Sequence, residues 1–159
     1  MTYKDRMRVP TRSLPARFLR LGFRRHALLV EASSSLAAAR IQLALFPFSR
    51  VARRIGSFAA PVGAEAEGQS FAGGAPAALE IAWAVRAAAR RVPFRALCLE
   101  QAIAARSMLC RRGIATILHL GAGMNETNQL SAHAWLEAAG ARVTGYPVAS
   151  HIVEVGSFR

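Results

Sequence analysis

The spacing of apolar residues over 98–113 predicts a helix that begins with a cysteine. Apolar side chains recur there at intervals of mostly three and four, and no Pro or Gly interrupts them. These positions are Ala102, Ile103, Ala105, Leu109 and Cys110. Gly113 follows two arginines and marks the C-terminal end, where cations complement the helix dipole. Because Pro93 disfavours helix in the residue before it, Cys98 is expected in the first turn.

The residues that follow have the pattern of strands. Residues 114–120 are apolar and β-branched, which predicts a strand, and residues 121–131 are polar and rich in Gly and Asn, which is typical of a loop. Residues 133–146 predict two more strands joined by a two-residue hairpin turn at Ala139-Gly140. The predicted order is helix, strand, loop, strand and strand, which is an α+β arrangement.

The most hydrophobic segment, residues 27–46, approaches the length of a membrane span. Glu31, Arg40 and three serines interrupt it, so we expect an amphipathic helix that packs on the folded domain, and no membrane span. Pro47 ends this helix. Residues 47–56 then predict a short basic helix that stops at a glycine.

Composition changes at two points along the chain. Residues 57–76 are rich in Gly, Ala and Pro, which is typical of a linker or mobile loop. A helix follows over residues 76–91 with Pro at its start. We therefore predict a basic N-terminal helical extension at 1–56, a linker at 57–76 and a folded core at 77–159.

Positive charge is concentrated at the N-terminal end. Residues 1–54 contain twelve of the 21 Lys and Arg residues and only Asp5 and Glu31 as acids, so +10 of the formal net charge of +12 lies there. Such a segment suits nucleic acid, a membrane surface or an acidic partner, although arginine-rich composition also follows from a GC-rich genome. The basic residues are not interleaved with aromatic residues as in known nucleic-acid-binding modules. A nucleic-acid- or membrane-binding protein is therefore an alternative that rests on charge alone, and no nucleic-acid partner is predicted.

The two cysteines are too far apart for a disulfide. Cys98 and Cys110 are twelve residues apart on one predicted helix, which is about 18 Å along its axis. No CxxC or HExxH spacing is present, so neither a metal nor a cofactor is expected. Free thiols suit a reducing compartment, which predicts a cytoplasmic protein. Cys110 is expected to pack in the core.

Cys98 and His133 together suggest nucleophilic catalysis. At a helix start, unpaired backbone N–H groups and the positive end of the dipole favour a thiolate. The same N–H groups can receive an oxyanion as it develops. A thiol at a helix start that faces an imidazole on a sheet has the geometry of a cysteine nucleophile with its base.

Three segments resemble the transglutaminase-like cysteine proteases, and specifically the leader peptidases of bacterial lasso-peptide maturation. They are RVPFRALCLEQAIAARSMLCRRGI, HLGAG and AHAWLEAAGARVTGYPVA, so that the resemblance covers residues 98–158, and it extends to PFSRVARRIG. It implies a transglutaminase-like (papain-like) core in which the helix that carries Cys98 packs on a small antiparallel sheet, with an N-terminal helical extension. It also implies that Cys98 attacks the bond between the leader and core peptides and that His133 is the general base.

The resemblance further implies partners. The substrate is then a ribosomally made precursor peptide, a small leader-recognition protein binds its leader, and an ATP-dependent lasso cyclase joins the new N-terminus to a side-chain carboxylate. Some family members carry the recognition module fused at the N-terminus. Residues 1–75 contain no predicted strand hairpins, so we predict the stand-alone peptidase.

One part of the family pattern is missing. In the family an Asp on the following strand usually orients the His, but no Asp occurs after residue 5 here. A two-residue turn would place Tyr146 opposite His133 and Thr144 diagonally on the same face. The candidate orienting groups are therefore the hydroxyl of Thr144 or Tyr146, a backbone carbonyl, or Glu154 folding back. The missing Asp also favours an alternative function, a non-catalytic transglutaminase-like scaffold in a peptide-modifying complex.

Overall fold

The computed structural model describes residues 22–60 and 74–159 of the chain. The helices are α1 (Phe23–Leu45), α2 (Phe48–Ile55), α3 (Ala75–Ala89) and α4 (Cys98–Cys110). The strands are β1 (Phe58–Ala59), β2 (Thr116–Met124), β3 (Leu130–Ala138), β4 (Ala141–Thr144) and β5 (Val153–Phe158). Residues 1–21 and residues 61–73 of the predicted linker lie outside the described residues, so the boundaries at 56 and 76 stay predictions.

The strands form one antiparallel sheet with the order β1-β5-β2-β3-β4. Helix α4 packs on β3 and helix α3 packs on β4, while α1 packs against both α3 and α4. The predicted α+β class is confirmed, with the helix that carries Cys98 packed on a small antiparallel sheet and a helical N-terminal part.

One apolar core joins the helices to the sheet. Its largest fully buried side chains come from α1, α3, α4 and the strands, and they include Leu36, Ile81, Met108, Leu109, Leu118 and Leu136. Burying a leucine or isoleucine completely contributes about 1.5–3 kcal/mol. Buried alanines on α3 and α4 lie between these side chains, and their small size lets the helices approach closely.

Helix α1 is long and apolar enough, by length and composition alone, to cross a membrane. One side of it nevertheless lies in the core at helical spacing, through Leu28, Ala32, Leu36 and Ala39. Beside this stripe, Glu31 accepts hydrogen bonds from Arg111 and Arg112, which follow α4. These contacts are those of the predicted amphipathic helix that packs on the domain.

Strand β2 extends further than the sequence predicts. The predicted loop begins at Gly121, but β2 continues to Met124 and pairs with β3 throughout. A Cβ atom on Gly121 would lie 2.6 Å from Cγ2 of Ile152, and one on Gly123 would overlap the carbonyl oxygen of His151. These two glycines therefore allow the segment before β5 to cross closely over the strand.

The predicted β3–β4 hairpin is confirmed, but its register is not the predicted one. Ala139 and Gly140 both have positive φ angles, 49° and 72°, as a type I′ turn requires. A β-bulge after Leu136 then adds a residue to the second strand, so that Leu136 pairs with Thr144. Residues beyond the bulge are displaced by one position from the register that a two-residue turn alone implies.

Arg106 connects α4 to three other elements. Its guanidinium donates to the carbonyl oxygens of Ile55, Thr116 and Phe158 at 2.6, 3.2 and 3.3 Å, and to the Thr116 hydroxyl at 2.6 Å. Burial lowers the pKa of Arg106 below its usual value. These bonds fix the cysteine-bearing helix against α2, β2 and β5.

Candidate active site

Cys98 is the first residue of α4. Leu97, before it, has an extended backbone, and the helix begins directly at the cysteine. The carboxylate of Glu100 accepts a hydrogen bond from the backbone N–H of Leu97, as a glutamate in the first turn of a helix commonly does. The thiol is free and partly buried. Backbone N–H groups of the first turn have no partner within the helix and point out of this end.

An ion pair that sequence reasoning missed holds the start of α4. The buried carboxylate of Glu100 lies 2.7 Å from Nη1 of Arg40, a residue of α1. Glu100 occupies the third helical position, so its capping role could have been inferred from the spacing. Its partner could not, because nothing in the sequence connects two residues 60 positions apart. The N-terminal helix thus helps to position the helix that carries Cys98.

His133 lies on β3, and a backbone carbonyl holds its ring. The Nε2 atom is 2.6 Å from the carbonyl oxygen of Gly145. A carbonyl can only accept a hydrogen bond, so Nε2 carries the proton and donates it. In the neutral imidazole, Nδ1 is then the unprotonated nitrogen that can act as a base.

Gly145 supplies this carbonyl because it has no side chain. Its φ angle is 81°, in the left-handed region that favours glycine. A Cβ atom there would lie 2.7 Å from the Cα and Cβ atoms of Trp135 and would overlap the carbonyl oxygen of Ala134. The chain after β4 can therefore lie directly against β3, beside His133.

Two of the side chains proposed to orient His133 are placed elsewhere. Thr144 is buried, and its hydroxyl has no hydrogen-bond partner among the described residues. Glu154 pairs with a different histidine, since its Oε1 lies 2.8 Å from Nδ1 of His119. The bulge and the competing histidine account for the difference from the prediction.

The third candidate, Tyr146, also makes no hydrogen bond to the His133 ring among the described contacts. Its hydroxyl donates to Oε1 of Glu137. Burial, together with this hydrogen bond, raises the pKa of Tyr146 above its usual value, so the phenol stays a donor. The guanidinium carbon of Arg142 lies 5.1 Å from the centre of the Tyr146 ring. Of the alternatives drawn from the sequence, the backbone carbonyl is the one that contacts the imidazole.

Cys98 and His133 line the same cavity, which has a volume of about 260 Å³. The chain after β4 and the side chain of Gln101 complete much of its wall. Gln101 donates its amide to the carbonyl of Ala96 at 2.8 Å, so this side chain is held in place rather than free in solvent. This volume is slightly below the range that is usual for small-molecule sites.

A second histidine lies on the face of the sheet that bears His133. Trp135 stacks against both rings, with centroid distances of 5.3 Å to His119 and 6.1 Å to His133. The period of two along β3 places Trp135 on the same face as His133. The sequence assigned no role to His119, and the β2–β3 register is what brings it opposite Trp135.

Cys110 lies at the far end of α4 and is exposed, so the expectation that it packs in the core is wrong. It is the last residue of the helix, where the chain turns away from the core. Both thiols are free. Within residues 22–60 and 74–159, no group of three or more His, Cys, Asp and Glu side chains is arranged to hold a metal ion.

Comparison with protein families gives one match. A family model described as the transglutaminase-like superfamily matches residues 42–155, which is more than two thirds of the chain and includes both Cys98 and His133. Neither the curated proteins nor the solved structures give a significant match.

Proposed function

Because this chain belongs to the transglutaminase-like superfamily, we propose that it is a cysteine peptidase that removes the leader from a lasso-peptide precursor. The observation that carries the proposal is the cavity shared by Cys98 and His133, with Nε2 of the histidine bound to a carbonyl. This arrangement leaves Nδ1 as the base of a cysteine–histidine pair. The resemblance of residues 98–158 to leader peptidases supplies the class of substrate.

The first half of the proposed reaction forms a thioester. Nδ1 of His133 takes the thiol proton while Sγ of Cys98 attacks the carbonyl carbon of the leader's last residue. The backbone N–H of Cys98, at the start of α4, helps to hold the oxyanion of the tetrahedral intermediate. The carbon–nitrogen bond then breaks, and the imidazolium gives its proton to the departing amine. The core peptide leaves with a free N-terminus.

The second half releases the leader. Nδ1 of His133 takes a proton from water, and the hydroxide attacks the thioester carbon. The carbon–sulfur bond breaks, the leader leaves as a carboxylic acid, and the imidazolium returns its proton to the thiolate. Gly145 keeps the ring oriented through both halves, because Nε2 holds its proton in every step.

The proposal includes three partners. A precursor peptide is the substrate, a small leader-recognition protein delivers it, and an ATP-dependent lasso cyclase uses the released core peptide. Delivery by a separate protein raises the effective concentration of the cleavage site at Cys98. The reaction takes place in the cytoplasm, where precursor and cyclase are made.

The main alternative is a scaffold without catalysis in a peptide-modifying complex. The observation that favours it is that, among residues 22–60 and 74–159, no carboxylate is hydrogen-bonded to His133. The two functions differ in what they require of the thiol, since a scaffold needs only the shape of the Cys98 side chain. Replacing the sulfur therefore separates them.

The chain contains its own control for that experiment, because Cys98 and Cys110 lie at opposite ends of α4. Purified precursor is incubated with the protein and the leader-recognition protein, and mass spectrometry follows the release of the leader. We expect Cys98→Ala to abolish cleavage and Cys110→Ala to retain it. Full cleavage by Cys98→Ala would refute the peptidase assignment, and no cleavage by the unmodified protein would favour the scaffold.

A chemical measurement tests activation of the thiol without any substrate. Cys110 is exposed and Cys98 is partly buried, so exposure alone predicts that iodoacetamide alkylates Cys110 faster. A thiol that the helix start and His133 activate reverses this order. We expect Cys98 to react first at neutral pH and His133→Ala to slow it selectively. Faster alkylation of Cys110 in the unmodified protein would count against a nucleophile at 98.

A further inference from the structure

The cavity that contains Cys98 and His133 is also lined by two arginines, Arg86 of α3 and Arg142 of β4. Of the described residues that line it, none is Asp or Glu. The two arginines belong to different elements, one to the helical layer and one to the edge strand. A cavity with two cations and no lining anion attracts a negatively charged group.

Neither arginine forms an ion pair within the described residues. Nε of Arg86 donates to the carbonyl of Ala82 at 3.1 Å, which holds the side chain along α3 and leaves the terminal nitrogens available. Arg142 lies over the Tyr146 ring at 5.1 Å. Glu137 is the cross-strand neighbour of Arg142, but the two form no ion pair within 4.0 Å, and Oε1 of Glu137 accepts a hydrogen bond from the Tyr146 hydroxyl.

We propose that Arg86 and Arg142 bind the carboxylate of an acidic side chain in the substrate peptide, next to the bond that Cys98 cleaves. This inference rests on the proposed peptidase function and adds the class of residue that the site selects. Guanidinium groups suit this task, because their planar donors match the two oxygens of a carboxylate. Both arginines are exposed at the rim, so the preference is moderate and is screened by salt.

The binding test uses Cys98→Ala protein, which separates recognition from chemistry. Capped pentapeptides, acetyl-Ala-Ala-Glu-Ala-Ala-amide and its Gln analogue, are titrated and followed by NMR. We expect the Glu peptide to bind about five- to tenfold more tightly at low salt, as two partly exposed ion pairs allow. The preference should fall to about twofold or less in Arg86→Gln, and it should vanish in the double variant with Arg142→Gln.

Matched controls exist for both arginines. Arg90 lies four residues after Arg86, at the C-cap of α3, and its Nε likewise donates to a carbonyl four residues earlier, but it does not line the cavity. Arg50 stacks on Phe46 as Arg142 does on Tyr146, far along the chain from β4. Arg90→Gln and Arg50→Gln should leave the Glu preference unchanged. Thermal denaturation of each variant confirms that it is folded.

The cleavage arm uses precursors with Glu, Gln or Lys at the positions flanking the cleaved bond, and compares kcat/KM. We expect the order Glu, Gln, Lys, with Arg86→Glu reversing the order of Glu and Lys. Equal binding of the Glu and Gln pentapeptides, or a preference that survives the double variant, would overturn the proposal. So would a preference that a Gln peptide with a free C-terminal carboxylate reproduces in full. Selective binding without any cleavage would instead count against the peptidase function alone.

Discussion

Replacing Gly145 tests whether a backbone carbonyl orients His133. No substitution can delete a carbonyl, but a side chain at this position displaces it. In Gly145→Ala the new Cβ atom would start 2.7 Å from the Cα and Cβ atoms of Trp135 and in overlap with Ala134. Since carbon atoms pack best at about 3.5–4.0 Å, the segment must move by roughly 1 Å. A displacement of that size along the 2.6 Å hydrogen bond from His133 brings it to about 3.6 Å, where it no longer exists.

The expected loss of activity is large. A misplacement of roughly 1 Å in a catalytic group costs about 100-fold in rate. The substitution also strains the backbone, because a residue with a Cβ atom at positive φ costs about 1–2 kcal/mol. Strain alone lowers stability but does not move the imidazole, so the two effects need to be measured separately.

Gly140 provides the matched control for this strain. Its φ angle is 72°, close to the 81° of Gly145, but a Cβ atom there meets no other atom within 4 Å. Thermal denaturation should show that Gly140→Ala and Gly145→Ala are both destabilised. Leader removal, measured as kcat/KM well below both melting temperatures, should fall about 100-fold only in Gly145→Ala. Equal activity of the two variants would refute the role of the Gly145 carbonyl.

Two further predictions concern the stability of the fold. Arg112 and Arg111 hold the pKa of Glu31 near 2, below its ordinary value of 4.5. The stabilisation by Glu31, about 1 kcal/mol for a screened pair, is therefore complete above about pH 4.5 and lost as the pH falls towards 2. Glu31→Gln should lower the melting temperature at pH 7 and have little effect near pH 2. Arg106→Lys cannot reach all four acceptors, and we expect a loss of about 1–3 kcal/mol in the free energy of unfolding, measured with urea.

Regular patterns allowed much of the fold to be predicted from the sequence. The helix that begins at Cys98 and the β3–β4 hairpin both follow from local periodicity and from a turn that only a few residues favour. The extent of β2 did not follow, because Gly121 and Gly123 have the composition of a loop. Glycine is needed at both positions because the segment at residues 151–152 crosses the strand closely. A contact with residues 30 positions away leaves no local signal.

The candidate site likewise contains some residues that the sequence marks locally and others that only distant contacts determine. Cys98 and His133 were predicted because side-chain type and spacing carry information. The carbonyl that contacts His133 was only one of several alternatives, since every residue has a carbonyl and the sequence does not mark one. Its position follows the bulge after Leu136, where the pairing of β3 with β4 shifts by one residue. Side-chain candidates such as Glu154 were drawn to other partners instead.

The Gly145 carbonyl contacts His133 where the family pattern has the carboxylate of an Asp, and this difference affects the proposed reaction. Both groups fix the direction of the imidazole, but a carbonyl has no net charge and stabilises the imidazolium less than a carboxylate does. The imidazolium forms when His133 takes the thiol proton, so the intrinsic rate should be low. The proposed leader-recognition protein then becomes more important, because a high effective concentration at Cys98 offsets a slow chemical step. Single-turnover cleavage of pre-bound precursor measures the chemical step, and steady-state cleavage measures KM. A slow single-turnover rate that the partner does not change, together with a KM that the partner strongly lowers, fits the reasoning. Fast single-turnover cleavage without the partner contradicts it.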